Sequence, residues 1–298
     1  MSASASSPFL PPELEQRIFC SLAYEQPYEV RSLMLVAWRV KEWVEHLLYR
    51  TLVVGFQHDF SSAALPHLIK LPLRKLLHSA RPRALFGTAV RNLLIDEGYN
   101  VTREDVAEAL SLCHSVQDLV LLPYVAMQGT LDHLRGLKQL KCRLALFFDC
   151  TPATDVQLAH YPALAQLTHL EVLDIEPLQN PEALSQILAL PSLTHLATGS
   201  GSSPHLVGQP TNLLIEALHP RGKLQAFVVI YYSITPERDP QGEVEPRLRE
   251  NPSFVALSDL EMWSLGWGNA VLGLEDDLWT QADKHILRRR AGETEGEQ

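Results

Sequence analysis

The sequence lacks any long apolar run and uses cysteine sparingly. No run reaches the roughly 18–20 apolar residues that a membrane-spanning helix needs, so we expect no membrane segment. Residues 1–9, MSASASSPF, lack the basic residues and apolar core of a secretory signal and are expected to form a disordered leader. The few cysteines have no zinc-site spacing and indicate a reducing compartment, cytoplasmic or nuclear, and not a secreted protein; they are Cys20, Cys113, Cys142 and Cys150.

Recognisable catalytic motifs are also missing. None of the twelve histidines belongs to a His-Glu-x-x-His motif or lies at metal-ligand spacing from a cysteine. Residues 198–204 are rich in glycine and serine, yet they contain neither a P-loop nor the hydrolase sequence Gly-x-Ser-x-Gly. This segment and the proline- and charge-rich residues 235–252 are expected to be tolerated insertions or else binding loops. We therefore expect no enzyme activity, no metal and no cofactor.

The chain is acidic overall, with one local exception. A formal net charge of −10 argues against general nucleic-acid binding, which normally requires a basic surface. Residues 60–95 contain no Asp or Glu, whereas the stretch 70–91 contains six basic residues: Lys70, Arg74, Lys75, Arg81, Arg83 and Arg91. This basic stretch either captures acidic or phosphorylated segments of a partner, or forms a solvated helix face.

Residues 10–52 predict three short helices with more apolar surface than they can bury. The first helix has an apolar face that includes Leu14 and Ile18. The second, predicted over residues 28–37, contains the consecutive apolar residues 33–36, which cover most of the helix circumference. The third has apolar residues at helical spacing: Val40, Trp43, Val44, Leu47 and Leu48. A segment of about 40 residues is near the lower limit for independent folding, so the surplus face must pack on the following domain or on another protein.

The order of motifs in this segment resembles an F-box. Leu-Pro-x-Glu-Leu at residues 10–14, Leu-Met-Leu-Val-Ala-Trp-Arg at residues 33–39 and Leu-Tyr-Arg at residues 48–50 are similar to the F-box-like proteins of mushroom-forming fungi. The resemblance implies a domain over residues 10–54 that docks on a Skp-type adaptor and thereby on a cullin-RING ubiquitin ligase. It further implies that the contacts to this adaptor are made by Leu10, Pro11, Leu14, Ile18, Leu35, Val36 and Trp43.

Beyond this domain, a degenerate apolar triplet recurs along the chain. Its middle positions are Leu93, Leu119, Leu140, Leu173, Leu196, Phe227 and Leu260. Each copy predicts a parallel strand followed by a helix or loop, as at residues 102–110 and 180–184, where capped helices begin. The units resemble leucine-rich repeats, although their spacing exceeds the usual 20–29 residues. The predicted fold is therefore α/β: a three-helix F-box-like bundle followed, over residues 55–290, by an irregular, curved solenoid with a parallel sheet.

Polar and aromatic residues on the strands and at their ends are candidates for target binding. In a solenoid of this kind the parallel strands line the concave side, which commonly binds extended partners. The candidates on that surface are Asn92, Asp118, Glu171, Asp174, Glu176, Tyr231 and Tyr232. Each has a plainer interpretation as a solvated strand residue.

The C-terminal residues combine tryptophans with a predicted final helix. Trp263, Trp267 and Trp279 either seal the apolar edge of the last repeat or anchor a partner. Asp276 and Asp277 are placed to start a helix that ends near residue 290. Residues 291–298 are expected to be disordered.

Two functions follow from these patterns. In the first, the chain is a non-catalytic substrate receptor of an SCF-type ubiquitin ligase: the bundle binds the adaptor and the solenoid binds an unknown target protein. In the second, it is an interaction scaffold whose N-terminal helices only cap the solenoid. The two hypotheses differ in whether Leu10, Pro11, Leu35 and Val36 are exposed or buried against residues 52–95.

Overall fold

The computed structural model describes most of the chain, in separate ranges. These are residues 10–54, 69–71, 73–79, 83–97, 102–123, 134, 143–146, 158–173, 175–200, 209–231, 244–258 and 263–292. Outside them lie the predicted leader 1–9, two candidate target-binding residues, and parts of the loops 198–204 and 235–252. The two candidates are Asp174 and Tyr232.

The first described range forms a small helical bundle. Helix α1 spans Pro12–Glu25, a 3-10 turn spans Pro27–Glu29, and helices α2 and α3 span Val30–Leu33 and Trp38–Leu48. Helix α1 begins with proline in its first turn, where the missing N–H costs no hydrogen bond. The small core of the bundle consists of Ala23, Val30, Leu33, Val40 and Val44.

The second helix is shorter than the sequence predicts. We expected it over residues 28–37, but α2 ends at Leu33 and is followed by a hydrogen-bonded turn. The backbone then becomes fully extended at Ala37, with φ −162° and ψ 156°. Leu35 and Val36 therefore lie in a connecting segment outside the helix. This breaks the apolar run 33–36, so that Leu33 is buried while Leu35 and Val36 face solvent.

Strands from the rest of the chain form one sheet. In chain order, β1–β9 span Thr51–Val54, Ile69–Leu71, Asn92–Glu97, Asp118–Pro123, Arg143–Leu146, His169–Val172, His195–Ser200, Ala226–Tyr231 and Phe254–Ser258. Among the described residues these nine strands are arranged as β2-β1-β3-β4-β5-β6-β7-β8-β9, and each neighbouring pair is parallel. The expected α/β class with a parallel sheet is confirmed.

Short helices and turns cover one side of this sheet, here called the core face. The α-helices α4–α10 span Leu73–Leu77, Arg83–Ala89, Arg103–Leu112, Glu176–Gln179, Pro181–Leu188, Gln209–Ala217 and Pro246–Arg249. Two 3-10 turns, Leu158–His160 and Pro162–Gln166, precede β6. Side chains from these elements and from alternate strand residues form the main hydrophobic core.

A single row of register partners on the core face shows the repeat length. The row is formed by Leu52, Leu93, Leu119, Leu144, Leu170, Leu196, Phe227 and Phe254. From Leu93 onward the spacings are 26, 25, 26, 26, 31 and 27 residues. The repeat is thus more regular than the sequence pattern indicated.

Three of the predicted positions in this row are wrong. The sequence pattern chose Leu140, Leu173 and Leu260, whereas the structure places Leu144, Leu170 and Phe254 there. Leu173 lies past the end of β6, and Leu140 and Leu260 lie outside the described residues. Leucine is so frequent in these segments that the triplet fits more than one register.

Helix starts were predicted more accurately than strand registers. Thr102 caps α6 in a capping box with Asp105, and Asn180 caps α8, as expected. The last described helix spans Leu278–Ala291, one residue further than predicted, and residues 293–298 of the expected tail lie outside the described residues. Asp277 caps this helix by accepting a hydrogen bond from the backbone N–H of Thr280 at 2.6 Å.

The other side of the sheet is covered by the end of the chain. Residues 263–292, here called the C-terminal arm, comprise helices α11 (Trp263–Val271) and α12 (Leu278–Ala291). Val271 and Leu272 pack with Val53, Leu94 and Val120. Further along the sheet, residues of α12 pack with Ala197, Val228, Ile230 and Val255; they are Trp279, Ala282 and Ile286. We call this side the arm face.

The position of the arm corrects the interpretation of the tryptophans. Trp267 and Trp279 do not seal the edge of the last repeat; they lie on the arm face, over β4 and over β6–β7. The side chain of Trp263 lies outside the described residues. The last strand is instead held by Arg289, which donates to the carbonyl oxygens of Phe254 and Asn251 at 2.9 and 3.2 Å.

Candidate docking surface

Six of the seven adaptor-contact residues that the F-box resemblance implies are exposed on the bundle. Leu35 is 87% exposed, Val36 60% and Ile18 53%, and Leu10, Pro11 and Leu14 are exposed as well. We call these six residues the docking patch. Large apolar side chains in this number are normally buried, so an exposed group of them is a candidate interaction surface. The described parts of residues 52–95 do not cover the patch.

Helical geometry explains why the patch is exposed. Leu14 and Ile18 are four residues apart on one side of α1, whereas Phe19, Leu22 and Ala23 lie on the side that packs against the bundle core. The bundle core is too small to take both sides. The apolar surplus that the sequence predicts is therefore left on the surface.

Helices α1 and α3 contact each other through side chains. Arg39 donates to the two carboxylate oxygens of Glu15 at 2.9 and 3.2 Å. The thiol of Cys20 lies 3.7 Å from the carbonyl oxygen of Trp43. These contacts connect α1, which carries Leu14 and Ile18, to α3.

The two tryptophans of α3 occupy different environments. Trp43, which the resemblance assigns to adaptor binding, is only partly exposed and packs against the bundle core. Trp38, which is not among the contact residues that the resemblance implies, is 70% exposed beside Val36. In the sequence, the apolar run at residues 33–36 was a signal that the adjacent Trp38 also belongs to an apolar surface. Helical spacing, however, placed only Trp43 on the apolar face of the third helix.

The bundle joins the sheet through the end of α3, away from the docking patch. Leu48 and Tyr49 belong to the main core, and the ring of Tyr49 meets that of Phe86 edge-on, with centroids 5.4 Å apart. The chain then enters β1 directly at Thr51. The bundle is therefore anchored on one side and open on the other.

The arm face carries a row of polar residues in register at the start of the strands. The row crosses six strands, from β1 to β7, as Thr51, Asn92, Asp118, Arg143, His169 and His195. Asn92 donates to the hydroxyl of Thr51 at 2.9 Å. The imidazole rings of His169 and His195 stack with centroids 4.2 Å apart. The row was visible in the sequence only as separate polar residues.

The C-terminal arm supplies partners to this row. Trp267 donates its indole N–H to Asp118 at 3.4 Å, and Arg143 forms an ion pair with Asp277. His195 Nε2 lies 3.2 Å from Asp283 Oδ1, and the rings of both histidines meet Trp279 edge-on. These contacts and the apolar packing beside them hold the arm on the sheet.

Asp118 has an unusual pKa in this setting. Burial beneath the arm raises the pKa of its carboxyl to about 6, because desolvation disfavours the charged form. The positive charge of Arg143 and the hydrogen bond from Trp267 act in the opposite direction and offset part of this effect.

The target-binding role expected for the sheet residues is not supported by their positions. Asp118 bonds to the arm, and Glu171 is 4% exposed. Tyr231 packs in the main core, on the opposite face of the sheet. Asn92 bonds within the sheet, and only Glu176, at the start of α7, is exposed. The local sequence does not reveal these positions, because the segment that covers the arm face is distant in the chain.

A small cavity lies between the arm and the sheet. Its volume is about 50 Å³, enough for a few water molecules. It is lined by charged and aromatic residues, among them Asp118, Arg143, Glu171, Asp277, Trp267 and Trp279. Among the described residues, no group of three or more His, Cys, Asp or Glu side chains is arranged to hold a metal ion.

The basic stretch is only partly described. Arg83 pairs with Glu108 at 2.8 Å, and Arg91 donates to the carbonyl oxygen of Ser115 at 3.2 Å. Lys75 is exposed on α4. The remaining members, Lys70, Arg74 and Arg81, have side chains outside the described residues. Two of the six basic residues thus connect neighbouring repeat units.

The sequence finds no match among protein-family models, and no curated protein matches it significantly. In the part of the chain that the structure describes, no helix combines the length and apolar character needed to cross a membrane.

Proposed function

We propose that this chain is the substrate receptor of an SCF-type cullin-RING ubiquitin ligase. The docking patch of the N-terminal bundle binds a Skp-type adaptor, and the repeat domain binds the target protein. The chain itself is non-catalytic. It promotes ubiquitination by raising the effective concentration of the target near the conjugating enzyme that the ligase carries.

The exposure of the docking patch is the observation that carries this proposal. If the bundle only capped the repeats, its surplus apolar side would pack on residues 52–95. Instead Leu35 and Val36 are 87% and 60% exposed, and the bundle contacts the sheet through Tyr49. The scaffold hypothesis retains one supporting contact, between Tyr49 and Phe86, but it gives the docking patch no role.

The repeat domain supports the second half of the proposal. Register spacings of mostly 25–27 residues fall within the 20–29 residues of leucine-rich repeats. We infer an irregular repeat domain of this kind following an F-box. Because the arm covers much of the sheet, the target binds at surfaces that remain open, such as the strand-to-helix edge where Glu176 is exposed.

Co-purification with a Skp-type adaptor tests the proposal. The full chain is compared with Leu10→Ala/Pro11→Ala and with Val36→Asp, each verified as folded by its thermal unfolding. We expect the wild type to retain the adaptor and both variants to lose most of it. Leu287→Asp is the matched control, because Leu287 is equally exposed, at 64%, but lies on the arm. Retention of the adaptor by the folded patch variants would refute the proposal.

A further inference from the structure

Trp38 is the most conspicuous aromatic residue on the surface of the bundle. It is the first residue of α3 and is 70% exposed, although tryptophan is highly buried on average. It does not belong to the bundle core. Its side chain therefore contributes little to folding of the isolated chain, and another role has to account for it.

The indole ring is held in place by two neighbours on the same helix. Its N–H donates to Glu42 Oε1 at 2.8 Å, one helical turn further on. The ammonium group of Lys41 lies 4.5 Å from the ring centroid. An aromatic side chain that is ordered before binding loses less conformational entropy in a complex, which is why such residues act as anchors.

Two exposed arginines and one exposed carboxylate, that of Glu13, lie beside the docking patch. Arg17 follows Leu14 by three residues and so lies on the same side of α1, and Arg31, on α2, precedes Leu35 by four residues. Both are exposed, and neither forms an ion pair with the residues that the structure describes. The whole chain has a formal net charge of −10, yet beside the patch the two arginines outnumber Glu13, and this local difference favours a partner with an acidic surface.

We propose that Trp38 is the main anchor of the docking patch, and that Arg17 and Arg31 match it to an apolar groove with an acidic rim on the adaptor. This inference rests on the proposed function. The indole fills the groove, while its N–H remains bonded to Glu42. The two arginines act chiefly on the rate of association and on its dependence on salt.

Titration calorimetry with the purified Skp-type adaptor tests this assignment. We expect Trp38→Ala to weaken binding about 30-fold or more, as for an interface anchor. Glu42→Ala, which removes the hydrogen bond that orients the ring, should weaken binding about threefold to tenfold. Arg17→Glu/Arg31→Glu should weaken binding most at low salt and flatten its salt dependence. The control Leu274→Ala changes an exposed residue of the arm and should bind as the wild type does.

The outcomes separate the two proposals. Because Trp38 and both arginines are exposed, the variants should unfold at the wild-type temperature. If Trp38→Ala binds the adaptor as tightly as the wild type does, the anchor assignment is overturned and the proposed function stands. Unchanged salt dependence in the arginine variant would overturn the acidic rim. Failure of the wild type to bind the adaptor would overturn both proposals together.

Discussion

Trp267 on the C-terminal arm donates its indole N–H to the carboxylate of Asp118 on β4, 149 residues earlier in the chain. This bond places α11 over the middle of the sheet. Burial of Asp118 at this position raises the pKa of its carboxyl to about 6, although the bond from Trp267 acts in the opposite direction. The end of the chain is thus part of the fold of the repeat domain, and its attachment makes stability depend on pH.

Replacing Asp118 with asparagine should change this dependence. A carboxyl whose pKa is raised on folding binds protons more tightly in the folded state. Its stabilising contribution to the free energy of unfolding is therefore complete below about pH 4 and is lost as the pH rises through 6. Asp118→Asn should therefore be more stable than the wild type above pH 6 by about 1–2 kcal/mol, because the half-buried side chain keeps some water contact. Urea unfolding at several pH values measures this difference.

The difference between the two proteins should vanish near pH 4. Glu216→Gln, which changes an exposed carboxylate on α9, serves as the control and should follow the wild type throughout. A constant difference between Asp118→Asn and the wild type from pH 4 to pH 8 would contradict the pKa assignment.

Two residues of α12 should respond very differently to truncation. Trp279 is buried against the stacked histidines and the arm face, whereas Leu287 on the same helix is 64% exposed. Trp279→Ala should lower the free energy of unfolding by about 3–5 kcal/mol, since it removes a large buried ring and leaves a cavity. Leu287→Ala should change it by less than about 0.5 kcal/mol. Similar losses from both variants would show that the arm does not pack as described.

Two glycines provide a second matched pair. A Cβ atom at Gly222 would lie 2.2 Å from the carbonyl oxygen of Ala217, which is backbone and cannot rotate away. Gly222→Ala should therefore destabilise the protein by about 1–3 kcal/mol. Gly266 lies inside α11, and a Cβ atom added there would have no neighbouring atom within 4 Å, so Gly266→Ala should stabilise the protein by about 0.5–1 kcal/mol. Thermal unfolding of both variants checks the two signs, and a stabilising Gly222→Ala would contradict the close approach.

The sequence predicted those parts of the fold that are determined by residues close together in the chain. Thr102 and Asn180 cap helices because their side chains satisfy nearby backbone N–H groups, and both were readable in the sequence. The strand Thr51–Val54 was readable from its β-branched residues. The docking patch was readable too, since the apolar residues exceed what a short bundle can bury.

Long-range packing limited the remaining predictions. The register of β5, β6 and β9 depends on which of several apolar residues faces its neighbour across the sheet, and the triplet pattern does not contain that information. The covering of the arm face joins residues more than 100 positions apart, such as Arg143 and Asp277. Without knowledge of that contact, Asp118 and Glu171 look like exposed strand residues, which is why the sequence pattern assigned them to target binding.

Amide hydrogen exchange with and without the Skp-type adaptor tests whether the N-terminal bundle is the docking element. If the bundle is the docking element, the adaptor should slow exchange across residues 10–43, with the largest change around Leu35–Trp38, while the arm residues 263–292 keep their rates. The Val36→Asp variant should show no such protection. Protection confined to the repeat domain, or no protection of residues 10–43 at saturating adaptor, would contradict the assignment of the bundle as the docking element.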